Sequence, residues 1–234
     1  MKLQSEYNSQ ASGTHKFYKK DHWSKENLLY SQPYFRLKKV AKIVNTLSRG
    51  IECDLLDIGC GPATLAKLLQ KNINYYGIDI AIQEAKPNLI EVDFLENQIR
   101  FKDKTFDIIV ASGVFEYMGM HQKEKLSEIQ KILNKNGKFI ITFSNLTHIE
   151  KPLYPSWNNL QSIKDMKSDL SLFFRVEKHF PAYHSTQYAE VNNKFLKGKI
   201  LRKFQMTINI NIPFISPLLG VNYIFICSLK PEFD

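Results

Sequence analysis

Cysteine is scarce in this chain, and what there is stands alone. The 234 residues hold three, Cys53, Cys60 and Cys227. None lies in a CxxC pair or at zinc-ligand spacing, so no disulfide framework and no metal site are expected. A sparse, odd count fits a reducing compartment. The opening stretch, MKLQSEYNSQASGTHKFYKKD, lacks the apolar core of a signal peptide. Charge is missing between Lys203 and Lys230, a length that would span a bilayer. Asn209, Asn211, Pro213, Pro217, Gly220 and Asn222 interrupt it, however. It reads as a loop or strand, a turn and a final buried strand, NYIFICSL. The expectation is a cytoplasmic protein without a transmembrane span. Internal repeats, low-complexity tracts and a linker marking a second domain are also missing.

What is present is globular. Hydrophobic residues make up 44% and aromatics 12%, enough for one large α/β domain with its own core. The formal charge is +9. Such a charge suits either an anionic partner or plain solubility. The basic residues are spread along the chain, and no basic stripe interleaved with aromatics is seen, so nucleic acid is not the expected partner. A small-molecule substrate is expected; monomer and homodimer both remain open.

The organisation is a strand–helix alternation. Residues 1–32 are polar with isolated aromatics and read as an N-terminal arm or lid. Residues 33–234 read as one domain, with a cofactor-binding half over 50–145 and a substrate-side half over 146–220. Leu37, Val40, Ala41, Val44 and Leu47 follow helical spacing between Pro33 and Arg49, and Gly50 ends that helix. CDLLDI, INYYGIDI, NLIEVDF, TFDIIVAS and GKFIITFS read as strands. PATLAKLLQK and KEKLSEIQKIL read as helices between them, the first with Pro62 in its first turn. A helix over about 160–172 and a strand near FRVEKHF follow. The expected fold is α/β and Rossmann-like: a doubly wound, mostly parallel seven-stranded sheet with helices on both faces. An insertion precedes the last strand, over about 183–219. Met206, Ile208, Ile210 and Ile212 alternate there with Thr207, Asn209 and Asn211, which reads as a strand with one buried face.

Asp57 is the oddity. It stands at the apolar end of the first strand, two residues before Gly59-Cys60-Gly61, and a carboxylate buried there must be satisfied by something. In an open parallel sheet, ligands bind beyond the carboxyl ends of the strands. A dinucleotide pyrophosphate fits poorly, because Asp57 repels it and the third small residue of GxGxxG is replaced by Thr64. A ligand with an amine or positive centre fits better. Asp79 lies about twenty residues on, where a nucleoside site needs an acid for ribose hydroxyls.

Five motifs in order make a resemblance. LLDIGCGPATL, YGIDI, VDF, FDIIVASGVFEYM and ILNKNGKFIITF together resemble the class I S-adenosylmethionine-dependent methyltransferases of the small-molecule type. That resemblance implies S-adenosyl-L-methionine as cofactor and S-adenosyl-L-homocysteine as product. It implies that Asp57 and the Gly59-Cys60-Gly61 turn serve the cofactor's amino-acid end, with Asp57 acting directly or by orienting the turn. Asp79 becomes the ribose acid, and Asp93 the acceptor for the adenine amine, with Ile80 or Phe94 against the ring. Ser112 and Gly113 end the strand beside the reactive methyl. Arg36 is placed to pair with the cofactor carboxylate, or stands as a solvated helix charge. Tyr18 and Trp23 of the arm would order over the cofactor. For a hydroxyl acceptor a base is needed; His148 is the first candidate, with Tyr117 and Glu116 next. Two departures stand out: Ala63 replaces a third glycine, and Tyr117 replaces a histidine common after Glu116. The expected activity is methyl transfer to an oxygen or nitrogen of a small metabolite, sugar or natural-product intermediate. The competing readings are methylation of RNA or protein, a nicotinamide-dependent dehydrogenase and a non-catalytic cofactor module.

Overall fold

The computed structural model describes residues 35–82, 86–99, 101, 104–145, 161–184 and 220–231. The arm with Tyr18 and Trp23, His148, and most of the 183–219 insertion lie outside the described residues.

Helix α1 (Phe35–Ser48) leads into β1 (Cys53–Ile58). Then come β2 (Ile73–Asp79), β3 (Leu89–Glu91) and β4 (Phe106–Ser112). Helix α2 (Gln122–Ile132) leads directly into β5 (Leu133–Ser144), and α3 (Ile163–Phe173) directly into β6 (Phe174–His184); β7 (Gly220–Leu229) ends the fold. The seven strands form one sheet in the order β3-β2-β1-β4-β5-β7-β6. Strands β1 to β5 run parallel, and β7 pairs antiparallel with both β5 and β6. The chain leaves β1 toward one edge and returns to β4 on its other side, so the strand order reverses between β1 and β4. The expected sheet and its covered faces are present.

Alternation along the strands divides the core in two. Leu55, Ile108, Val110, Ile140 and Ile224 face α1, where Val40, Ala41 and Val44 cover them. Leu56, Ile58, Ile109, Phe139, Ile141 and Phe225 face the opposite side, under Leu126 and Ile129 of α2 and Met166 and Leu170 of α3. Burying a side chain of this size contributes about 1.5–3 kcal/mol. The helix stripe read from sequence therefore lies against the sheet, and Arg49 and Gly50 end α1 in left-handed conformations with φ of 48° and 76°. Lys39 turns inward from the same helix. It is buried, donates to the Pro181 carbonyl at 3.0 Å and sits over the Phe180 ring, which ties α1 to β6.

One expected element is corrected. PATLAKLLQK is not an α-helix; the segment after β1 is a series of turns with a single 3₁₀ turn at Ala66–Leu68. Gly61 and Ala63 both adopt positive φ, 51° and 52°, so the chain twists left-handed where a helix would have to begin. Leu65 still reaches the α1-side core, which is why its spacing imitates a helix.

Gly77 of β2 keeps this crossing tight. A Cβ there would stand 2.8 Å from both the Cys60 sulfur and Leu89 Cδ2. Gly77→Ala is expected to destabilise the fold by about 1–3 kcal/mol through overpacking. Urea unfolding reads this as a lowered midpoint at constant slope; an unchanged midpoint would contradict the packing.

Candidate active site

The turn after β1 sits where the strand order reverses, and hydrogen bonds from β2 hold it. The N–H groups of Gly59 and Cys60 both donate to the Ile78 carbonyl, at 2.8 and 3.1 Å. The Gly61 N–H donates to Asp79 Oδ2 at 2.8 Å, and the Ala81 N–H donates to Asp79 Oδ1 at 3.0 Å. One carboxylate thus joins the two strand-end loops. Gly59, at φ 71°, has no room for a side chain, because a Cβ would overlap Val114 Cγ2 in the loop after β4. Cys60 is buried, with its sulfur against Gly77, so it packs the turn from below. Burial pushes its thiol far up, which keeps it protonated and unreactive.

Asp57 faces α1, on the same side of the sheet as Leu55. It is 3% exposed and accepts a 2.7 Å hydrogen bond from the Tyr75 hydroxyl. Tyr75 is the partner that sequence reasoning missed. It lies two residues before Gly77, which is the register partner of Asp57, so the contact becomes visible only once β1 and β2 are aligned. Burial raises the Asp57 carboxyl to about 7; Tyr75 opposes the shift and the nearby Asp79 adds to it. Burial likewise raises Asp79 to about 6, against the two backbone N–H groups it holds.

Toward β3, Asp93 is half-buried and turns the chain by accepting from the Leu95 N–H at 2.9 Å. Phe94 points into the core beneath the Lys125 ammonium, leaving half-buried Ile80 as the apolar residue nearer the surface. Toward β5, the Ser112 and Thr142 hydroxyls are 3.3 Å apart. Gly113, at φ 75°, carries the Arg36 guanidinium; a Cβ would stand 2.8 Å from either terminal nitrogen. Glu116 is 1% exposed, and its Oε1 accepts from both the N–H and the hydroxyl of Ser144, at 3.0 and 2.8 Å. It therefore pins the β4 loop to the end of β5 instead of facing an open site. Tyr117 follows in the same 3₁₀ turn, half-buried. Arg36, Asp57, Asp79, Ser112, Gly113 and Glu116 converge on the carboxyl ends of β1, β2 and β4. Ser144 and Asn222, which complete the rim, carry no sequence signal of their own.

The raised carboxyls set a pH dependence. In the folded chain Asp57 and Asp79 hold protons to about 7 and about 6, against 3.8 ordinarily. Their contribution to stability is present below about pH 4 and is lost as pH rises to about 7. Asp57→Asn removes one such charge. The variant is expected to gain on the wild type by on the order of a few kcal/mol at pH 8, and to lose that gain toward pH 4. Urea unfolding from pH 4 to 8 checks it. A variant less stable than wild type at pH 8 would contradict the buried-charge account.

Comparison with known proteins agrees with this geometry. A family model described as a methyltransferase domain matches residues 30–195. The malonyl-[acyl-carrier protein] O-methyltransferase of Calditerrivibrio nitroreducens is 26% identical over 175 residues, 69% of this chain and 69% of that protein. Of three further relatives the chain spans only about half the length. An S-adenosylmethionine-dependent methyltransferase from Clostridium acetobutylicum shares the fold with a TM-score of 0.58 at 11% identity, over 88% of this chain and 96% of that one. The N-methyltransferase NodS of Bradyrhizobium japonicum, in complex with S-adenosyl-L-homocysteine, does so at 0.55 and 12%, over 89% and 94%. With a family match over most of its length and the matching sheet order, the chain belongs to the methyltransferase domain family and is a class I S-adenosylmethionine-dependent methyltransferase.

Proposed function

We propose that the chain methylates an oxygen or nitrogen of a small polar molecule. The observation that carries the reading is the turn Gly59–Gly61, held open at the strand-order reversal by the Asp79 carboxylate. Its φ values suit close backbone approach to a ligand. Asp79 retains lone pairs beyond the two N–H bonds it accepts, which suits ribose hydroxyls. Asp93 and Ile80 flank the adenine position, and Arg36 offers a guanidinium for the cofactor carboxylate. Bound there, the cofactor supplies a methyl group already activated on a sulfonium. The chain's own contribution is then alignment and exclusion of water.

Around the strand ends Ser112 and Tyr117 offer half-buried hydroxyls, and the buried Thr142 hydroxyl lies beside that of Ser112. Such groups hydrogen-bond a polar metabolite. Tyr117 and His148 are the candidates for taking a proton from a hydroxyl acceptor; a carboxylate acceptor needs no base. Glu116 is engaged with Ser144 and acts on geometry. A second reading, an acceptor carried by an acidic protein, draws on the +9 charge and on the relative that acts on a malonyl-acyl carrier. Release of S-adenosyl-L-homocysteine in the presence of free metabolites or of an acyl-carrier protein separates the two. No helix among the described residues is long and apolar enough to cross a membrane.

At a hundredfold excess over its dissociation constant, S-adenosyl-L-homocysteine is expected to stabilise the chain by about 2.7 kcal/mol, seen as a rise of several degrees in Tm. NAD is expected to leave Tm unchanged. Asp79→Ala is expected to weaken cofactor binding tenfold or more, because a charged acceptor is lost. A shift with NAD alone, or undiminished affinity in a folded Asp79→Ala variant, would overturn the site.

A further inference from the structure

Lys125 is a charge inside the protein. It lies on α2 and is only 2% exposed. Its ammonium donates to Glu128 Oε1 at 2.9 Å and to the Asn97 carbonyl at 3.0 Å. It also stands 5.1 Å from the centre of the Phe94 ring, within cation–π range. Glu128 keeps a second oxygen, Oε2, that is buried without a hydrogen-bond partner. An ion pair buried on these terms is weak as a source of stability, and an apolar side chain of similar volume would fill the space without bringing a charge inside. What an apolar side chain could not do is donate to a backbone carbonyl.

That carbonyl belongs to the turn that carries Asp93. The Asn97 N–H and Asn97 Nδ2 both donate to the Asp93 carbonyl, at 2.9 and 3.1 Å, and Asp93 Oδ1 accepts from the Leu95 N–H at 2.9 Å. Residues 93–97 therefore close on themselves, and Lys125 fastens the closed turn to a helix at two places, the Asn97 carbonyl and the Phe94 ring. Helix α2 itself begins directly after the 3₁₀ turns that hold Glu116 and Tyr117. One ammonium thus spans from the loop assigned to the adenine to the helix behind the methyl-side loop. Hydrogen bonds set that spacing by direction as well as distance, which packing alone does less sharply.

We propose that Lys125, anchored by Glu128, is a positioning residue that sets the enzyme's selectivity for the cofactor base: it fixes the 93–97 turn so that the Asp93 carboxylate meets the adenine amine. The proposal rests on the cofactor assignment made above. Lys125 does not touch the cofactor; it acts through Asn97 and Phe94 on Asp93, and a small misplacement of that carboxylate is enough to lose the contact.

Calorimetry with two probes tests this: S-adenosyl-L-homocysteine and S-inosyl-L-homocysteine, in which a carbonyl replaces the adenine amine. Wild type is expected to prefer the adenine probe tenfold or more. Lys125→Met combined with Glu128→Gln removes both buried charges together. It is expected to lose about tenfold in affinity for the adenine probe and to keep its affinity for the inosine probe. Asn97→Ala, which cuts the side-chain bond to the Asp93 carbonyl, is expected to lower the same preference. A residue that merely supports the fold would lower both affinities alike. Equal losses on the two probes, or an undiminished preference in the double variant, would make Lys125 a structural strut and overturn the proposal. Should the double variant not fold, an undiminished preference in Asn97→Ala overturns it, because the coupling runs through that residue. A wild type that binds both probes equally removes Asp93 from the base site and the proposal with it. A wild type that binds neither refutes the cofactor assignment itself.

Discussion

The hydrogen bond from the Gly61 N–H to Asp79 is the constraint from which the site follows. It joins the end of β1 to the end of β2 through a side chain and not through the ladder. With the Ala81 N–H on its other oxygen, the carboxylate fixes two loops at once. The left-handed turn at Gly59–Ala63 is what lets the chain make that bond, and the same turn prevents an α-helix from starting there. Loss of the helix and gain of the site are one event in the backbone.

Burying the acids that do this is unfavourable, and the fold offsets the burden in different ways. Asp79 is stabilised by backbone N–H groups, Asp57 by one phenol, and Glu116 by a serine with a guanidinium nearby. All three carboxyls are nonetheless raised above their ordinary range. Raised pKa values of this kind gather where a ligand is expected to complete the electrostatics. A cationic ligand would favour the charged forms, so cofactor binding and ionisation of these acids are expected to reinforce one another.

Much of this was legible in the sequence. The strands CDLLDI and TFDIIVAS each run into a glycine, Gly59 and Gly113, that turns the chain at positive φ, and the structure places β1 and β4 on those segments. The α1 stripe and the Gly50 stop were legible because spacing reports face; Asp57 and Asp79 were legible as strand-end acids, and Gly113 through the resemblance of its motif. Other features depend on register or on backbone dihedrals. The Tyr75–Asp57 bond exists because Asp57 lies opposite Gly77, and no local pattern states that pairing. Ala63 has the composition of a helix residue and the φ of a glycine. Glu116 resembled a reacting acid from its place in a motif; only its neighbours Ser144 and Asn222, far along the chain, show that it is pinned.

A crystal structure of the chain with S-adenosyl-L-homocysteine tests the central claim most directly. The account predicts ribose hydroxyls within hydrogen-bond distance of Asp79, with the Gly61–Asp79 bond intact and the amino-acid end between the Gly59 turn and Gly113. A ligand seated elsewhere, or a turn that abandons Asp79 to admit it, would contradict the account.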